Sequence, residues 1–227
     1  MKILIVSGFL GAGKTTFIKR LARNVDQRFA ILENEYGAAG IDGARLGQNR
    51  QGTQKNVWEM TEQCICCIGK KDFAASVLTI ANVVDPEYLI VEPTGVGSLA
   101  RIIENLRQIE YERIQLLSPV TIVDVYSYRR YMAEYPELYQ DQIRSADTII
   151  VSKTEACQAE EKQRIQKFLQ EINSQAKIIT DYASTMTWED YQSLLLGGAE
   201  AALDAVQKKT ALVQIGRGAL EGPGRCQ

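Results

Sequence analysis

Apolar residues in this chain gather in short unbroken runs, with helical spacing between them. Ile3-Leu4-Ile5-Val6 lies within a strand from Lys2 to Ser7. Phe29 to Leu32, Tyr88 to Val91, Val120 to Val123, Thr148 to Val151 and Lys177 to Thr180 also read as strands. A strand that is apolar at nearly every position is buried on both faces. Between the strands the period changes. Phe17, Ile18, Leu21, Ala22 and Val25 line one face of a helix over Lys14 to Val25. Further helices are expected from Asp72 to Val84, Leu99 to Ile109, Tyr126 to Met132, Pro136 to Ser145, Gln158 to Ile172 and Trp188 to Leu195. Strands alternating with helices predict an α/β fold, a mostly parallel sheet with helices on both faces. Its crossovers are right-handed, and its ligands bind beyond the carboxyl ends of the strands.

Two stretches break the alternation. Glu33 to about Gln63 is polar, glycine-rich and without a period, which predicts a long functional or mobile loop. From Gly197 the chain turns small and glycine-rich. The expected organisation is one domain over residues 1–197 and a weakly ordered tail over 198–227, with room for a short strand at Leu212-Val213.

The first strand leads into Gly8-Phe9-Leu10-Gly11-Ala12-Gly13-Lys14-Thr15, the pattern GxxxxGKT. Glycines let successive N–H groups turn inward, and the following helix aims its N-terminus at the same point. That is a phosphate cradle. Gly8, Gly11, Ala12, Gly13, Lys14, Thr15 and Thr16 are its candidate contacts, with Lys14 on the β- and γ-phosphates and the Thr15 hydroxyl on Mg²⁺. The strand ending at Val91 continues as Glu92-Pro93-Thr94-Gly95. A carboxylate there can hold a Mg²⁺-bound water or orient an attacking one, and Gly95 lets its N–H approach a γ-phosphate. A solvated glutamate before a turn is the plainer alternative.

After the strand ending at Val151 comes Ser152-Lys153-Thr154-Glu155. Ras-type switches read guanine there with Asn-Lys-x-Asp, the lysine stem covering the base and the carboxylate accepting from it. Lys153 and Glu155 are the matching candidates, unless Thr154 or Glu155 merely opens the next helix. Asp124 either supports the Mg²⁺ shell or only caps the helix after it. Tyr128, Tyr131 and Tyr135 sit among arginines but at helical spacing, which favours a packing stripe over nucleic-acid binding.

Bulk properties narrow the function. The 227 residues are 45% hydrophobic and 24% charged, with a formal net charge of −2. No global field recruits nucleic acid or anionic lipid, and no apolar run reaches membrane-spanning length. With the first strand starting at Lys2, no signal peptide fits and a cytoplasmic location is expected. Histidine is absent. Of five cysteines, three cluster as Cys64-Ile65-Cys66-Cys67. An odd count argues against a disulfide framework. Thiolates this close suit a borderline-soft divalent ion, Zn²⁺ first, with Co²⁺ or Ni²⁺ as alternatives. Small buried residues at a helix start are the competing explanation.

Together GFLGAGKTT (Gly8 to Thr16), ENEYG (Glu33 to Gly37), CICC (Cys64 to Cys67), ExTG (Glu92 to Gly95) and the K-x-acid element resemble the CobW-type metallochaperone GTPases, relatives of the nickel-insertion GTPases. The order matches over roughly residues 2–180. The resemblance implies a P-loop NTPase fold, GTP/GDP as ligand, slow Mg²⁺-dependent hydrolysis, and a client metalloenzyme or corrinoid protein as partner. It implies Glu33 and Cys66 as metal ligands, with Cys64 and Cys67 beside them, and it makes a homodimer a reasonable expectation. Glu62-Gln63 stands where the family usually has Asn-Gly, histidine ligands are missing, and the family's second domain is expected to be absent. Two other functions fit parts of the pattern. One is a P-loop kinase or ATPase acting on a small molecule. The other is a nucleotide-gated activator that docks on a metalloenzyme without carrying metal.

Overall fold

The computed structural model describes residues 1–25, 27–33, 57–61 and 70–196. The CxCC cluster, Glu35 and the C-terminal segment from 197 lie outside the described residues.

Strand β1 (Lys2–Gly8) sits at the centre of the sheet. It is followed by α1 (Lys14–Asn24), β2 (Phe29–Glu33), β3 (Val57–Thr61), α2 (Lys70–Val83) and β4 (Tyr88–Glu92). Next come α3 (Leu99–Arg107), β5 (Gln115–Leu116), β6 (Val120–Asp124), α4 (Tyr128–Glu134) and α5 (Pro136–Arg144). The described chain closes with β7 (Thr148–Ser152), α6 (Ala159–Ile172), β8 (Lys177–Ile179), α7 (Tyr182–Thr185) and α8 (Trp188–Leu196). The strands order as β3-β2-β4-β1-β6-β7-β8, with β5 pairing β1 beside this path. Every strand pair is parallel.

The unbroken apolar runs have the expected cause. In β1, Leu4 and Val6 join a core with Phe17, Ile18 and Leu21 of α1 and Tyr191 and Leu194 of α8. The intervening Ile3 and Ile5 join a core with Phe73, Val77 and Ile80 of α2 and Leu99 and Ile102 of α3. Alternate side chains thus feed opposite faces, and both faces are covered. A third core gathers Tyr128, Tyr139, Ile143, Ile165 and Leu169 beside β6 and β7. No helix among the described residues is long and apolar enough to cross a membrane.

Three elements depart from the sequence reading. Strand β3 lies inside the stretch read as one long loop; among the described residues its five residues, VWEMT, pair with β2 alone, at the sheet edge. A single edge strand with polar residues between apolar ones gives too weak a periodic signal to stand out. The two-residue β5 and the one-turn α7 are shorter than any pattern a period can reveal.

Candidate functional site

The GxxxxGKT segment bridges the carboxyl end of β1 and the start of α1. Gly8 has φ 143°, and a Cβ there would stand 2.5 Å from the Ile122 carbonyl oxygen of β6. Only glycine fits both demands. Helix α1 opens at Gly13 with no side-chain cap, the arrangement that offers helix N–H groups to an anion. The Ala12 N–H donates to Phe9 O at 3.0 Å and closes the loop.

Lys14 is buried, with its ammonium 3.5 Å from Phe9 O and 3.9 Å from the Glu92 carboxylate. Burial pulls its pKa below the ordinary lysine value, and Glu92 opposes that shift. The Thr15 hydroxyl donates to the same carboxylate at 3.1 Å. Lys14, Thr15 and Glu92 therefore converge although 77 residues separate Thr15 from Glu92. A hydroxyl and a carboxylate oxygen side by side form a donor set suited to a hard divalent cation such as Mg²⁺.

The loop after β4 closes one side. Gly95 lies against the cradle itself: a Cβ would meet Leu10 N at 2.5 Å and Phe9 C at 3.0 Å. On another side an aromatic group holds the cradle. The Phe9 ring centroid is 4.7 Å from that of Tyr131 and 5.0 Å from that of Tyr139, and the Tyr131 hydroxyl donates to Leu10 O at 3.0 Å. The tyrosine stripe packs, as its spacing implied: Tyr131 and Tyr135 on Phe9 of the phosphate loop, and Tyr128 on Phe168 of α6.

Glu33 ends β2 half-buried, and Glu92 on β4 is its register partner. On its other side the partner of Glu33 is Thr61, the last residue of β3. Both carboxylates and the exit of β3 thus share one edge of the sheet. The sequence candidates Cys64, Cys66 and Cys67 follow that exit and lie outside the described residues. Among the described residues no group of three or more His, Cys, Asp or Glu side chains stands ready to hold a metal ion.

The β7–α6 turn forms the opposite wall. The Ser152 hydroxyl donates to Ala12 O at 2.6 Å, tying the strand end to the cradle. Lys153 has φ 60° and its ammonium pairs with Asp124 at 2.8 Å. Asp124 also accepts from the Tyr126 N–H at 2.9 Å and the Ser127 hydroxyl at 2.8 Å. Its oxygens hold the β6–α4 turn and Lys153, while α4 itself begins at Ser127 with no side-chain cap. Glu155 is exposed in the same turn. Buried Thr154 hydrogen-bonds Asp181, which also pairs with Lys162 at 2.7 Å. The β8–α7 turn at Asp181-Tyr182 therefore lines this wall, although no sequence motif pointed to it.

Burial alone would raise the Asp124 pKa, but hydrogen bonds from Lys153, Tyr126 and Ser127 hold the carboxyl below its usual range. A lowered folded pKa favours the ionised native form. Its contribution is full above the unfolded carboxylate pKa and is lost as pH falls through the lowered value. Asp124→Asn is expected to cost about 1–3 kcal/mol at neutral pH and to flatten the acid limb of stability. Urea unfolding from pH 7 to pH 3 measures both.

A glycine cradle at the end of a central parallel strand, a lysine and a threonine meeting a strand-end carboxylate, and helices on both faces define a P-loop nucleotide-binding protein. Residues 2–180 match the CobW/HypB/UreG nucleotide-binding domain, and the chain belongs to that family. It is 30% identical over 178 residues to the zinc chaperone YeiR of Escherichia coli K12, covering 77% of this chain and 53% of YeiR. With the zinc chaperone CobW of Pseudomonas aeruginosa the identity is 27% over 209 residues, covering 79% and 56%. The chain thus spans about half the length of these curated relatives. The fold is that of the zinc-bound YjiA GTPase from E. coli, with a TM-score of 0.61 at 21% identity over 82% of this chain and 59% of YjiA.

Proposed function

We propose that this chain binds and slowly hydrolyses GTP with Mg²⁺, and that its nucleotide state controls a transition-metal ion held by Glu33 and the thiolates of Cys64, Cys66 and Cys67. The ion would pass to a client metalloenzyme or corrinoid protein. One observation carries the reading: Glu33 and Glu92 are register partners, and Glu92 is the carboxylate on which Lys14 and Thr15 converge. A change at the terminal phosphate is one strand away from the first metal candidate. Thr61, beside Glu33, stands three residues before Cys64, a stretch that spans at most about 11 Å. Relatives named zinc chaperones support Zn²⁺ as the cargo, with Co²⁺ and Ni²⁺ as alternatives.

The residues divide the work. Gly8, Gly11, Gly13 and Thr16 present backbone amides to the phosphates, and Ala12, whose N–H is spent on Phe9 O, shapes the loop around them. Lys14 supplies charge at the β- and γ-positions, a role matched to its dry setting: a triphosphate offsets the loss of hydration that burial imposes on the ammonium. The Thr15 hydroxyl and Glu92 would hold Mg²⁺, which when bound neutralises charge developing on the phosphate oxygens. Glu92 also stands where it can orient water. Gly95 places its N–H near the terminal phosphate. Lys153, pinned by Asp124, offers its stem to the base, and Glu155 offers two acceptor oxygens to the guanine N–H groups.

The coupling has a measurable size. Linked sites of this kind exchange about 1–3 kcal/mol, roughly 5- to 150-fold in affinity, and the effect is reciprocal. Zn²⁺ is expected to change GTP affinity within that range in the wild-type protein and to leave it unchanged in Cys66→Ala. Titration of both proteins with and without Zn²⁺ decides the matter. Equal affinities in all four conditions would remove the coupling, and a preference for ATP would remove the guanine reading.

A further inference from the structure

Two consecutive residues of α5 reach the loop that joins β4 to α3. Gln142 is 1% exposed, and its side-chain N–H groups donate to Gly95 O at 3.1 Å and Gly97 O at 3.0 Å. The neighbouring Asp141 carboxylate accepts from the Leu99 N–H at 2.7 Å and the Ala100 N–H at 3.4 Å. The first pair of bonds fixes the turn, and the second fixes the helix that follows it. The turn closes on itself through the Gly97 N–H to Thr94 O, 3.0 Å. Helix α5 is in turn fastened to the sheet, because the Thr121 hydroxyl of β6 donates to the Gln142 backbone oxygen at 3.0 Å.

We infer that Gln142 and Asp141 are positioning residues that set where the Thr94–Gly97 turn stands against the phosphate cradle, and so govern how strongly the site senses the terminal phosphate. The inference rests on the GTPase reading above and deepens it. The turn already touches the cradle, since Gly95 leaves no room for a single carbon against Leu10 N. At that contact, a small displacement of the turn changes what its N–H groups reach. Gln142 also carries a cost that a purely structural residue would not. Its side-chain oxygen is buried with no hydrogen-bond partner among the described residues, whereas an apolar side chain would fill the space without that burden. What the glutamine adds is two donors on the carbonyls of one turn.

The test compares GTPγS and GDP affinities and single-turnover GTP hydrolysis in the full chain with Mg²⁺. Gln142→Met keeps the volume and removes the donors. It is expected to weaken GTPγS binding and slow hydrolysis about tenfold or more, while GDP affinity stays within about twofold, because GDP lacks the phosphate the turn serves. Asp141→Ala, on the less buried side, is expected to move the same ratio about threefold. Gln142→Glu keeps the shape but, when ionised, cannot donate. Buried against two carbonyl oxygens, that carboxyl is held protonated and keeps one donor, so the variant is expected to fall between wild type and Gln142→Met. A parallel loss of GTPγS and GDP binding, or an unchanged ratio, overturns the inference. Should Gln142→Met fail to fold, the ratio in Asp141→Ala decides by the same criterion. A wild-type protein that binds neither guanine nucleotide sinks the GTPase reading and this inference with it. Wild-type binding with unmoved variants sinks the inference alone.

Discussion

Lys14→Ala is expected to slow GTP hydrolysis about 10²- to 10³-fold, the usual loss when one preorganised electrostatic partner of a transition state is removed. The nucleotide-free protein should respond differently. Lys14 is 8% exposed, burial depresses its pKa, and among the described residues its carboxylate partner, Glu92, stands 3.9 Å away. The empty site thus holds an ammonium whose charge is poorly compensated. Removing it should leave the melting temperature unchanged or raise it. Activity lost while stability holds is the signature of a residue kept for function. Single-turnover kinetics and calorimetry on the same preparation measure both. A variant that melts several degrees lower would show that Lys14 serves the fold.

Gly95→Ala is expected to cost about 100-fold in hydrolysis and about 1–3 kcal/mol in stability. The added carbon would sit 2.5 Å from Leu10 N and 3.0 Å from Phe9 C. Those are backbone atoms and cannot rotate away. Phe9 is itself held by Tyr131 and Tyr139, so the cradle does not yield and the turn must move. The result to look for is a larger loss for GTP analogues than for GDP, together with a lowered urea midpoint. Equal affinity for all nucleotides would show that the turn plays no part in phosphate recognition.

The features legible in the sequence are those written in neighbouring residues. Ile3 to Val6 announces a strand covered on both faces because every position is apolar. Gly8 to Thr15 announces the cradle because its glycines and lysine keep a fixed spacing. Lys153 and Glu155 stand just after β7, where the chain pattern placed a strand end. The Asp141–Gln142 clamp could not be read this way. Gln142 meets Gly95 across 47 residues and Asp141 meets Leu99 across 42, and nothing in the local pattern of α5 separates a clamping residue from any polar residue on a helix. Strand β3 was missed because, among the described residues, it pairs with β2 alone, so its identity depends on a partner rather than on its own period. Asp124 was ambiguous for a related reason. Its role depends on Lys153, 29 residues away, and a strand-end aspartate looks the same whether it serves a turn or a cation. Ser152, standing where Ras-type switches have asparagine, reaches Ala12 O across 140 residues, a contact no local pattern announces.

The central position of β1 also governs how the chain is born. Its neighbours in the sheet begin at Tyr88 and Val120, so β1, which ends at Gly8, has no sheet partner until synthesis has passed Tyr88, 80 residues further on. At about 5–20 residues per second, that wait is on the order of ten seconds. Throughout it, Ile3 to Val6 is a nascent apolar segment with two open edges, the kind of segment that holdase chaperones shield from self-association.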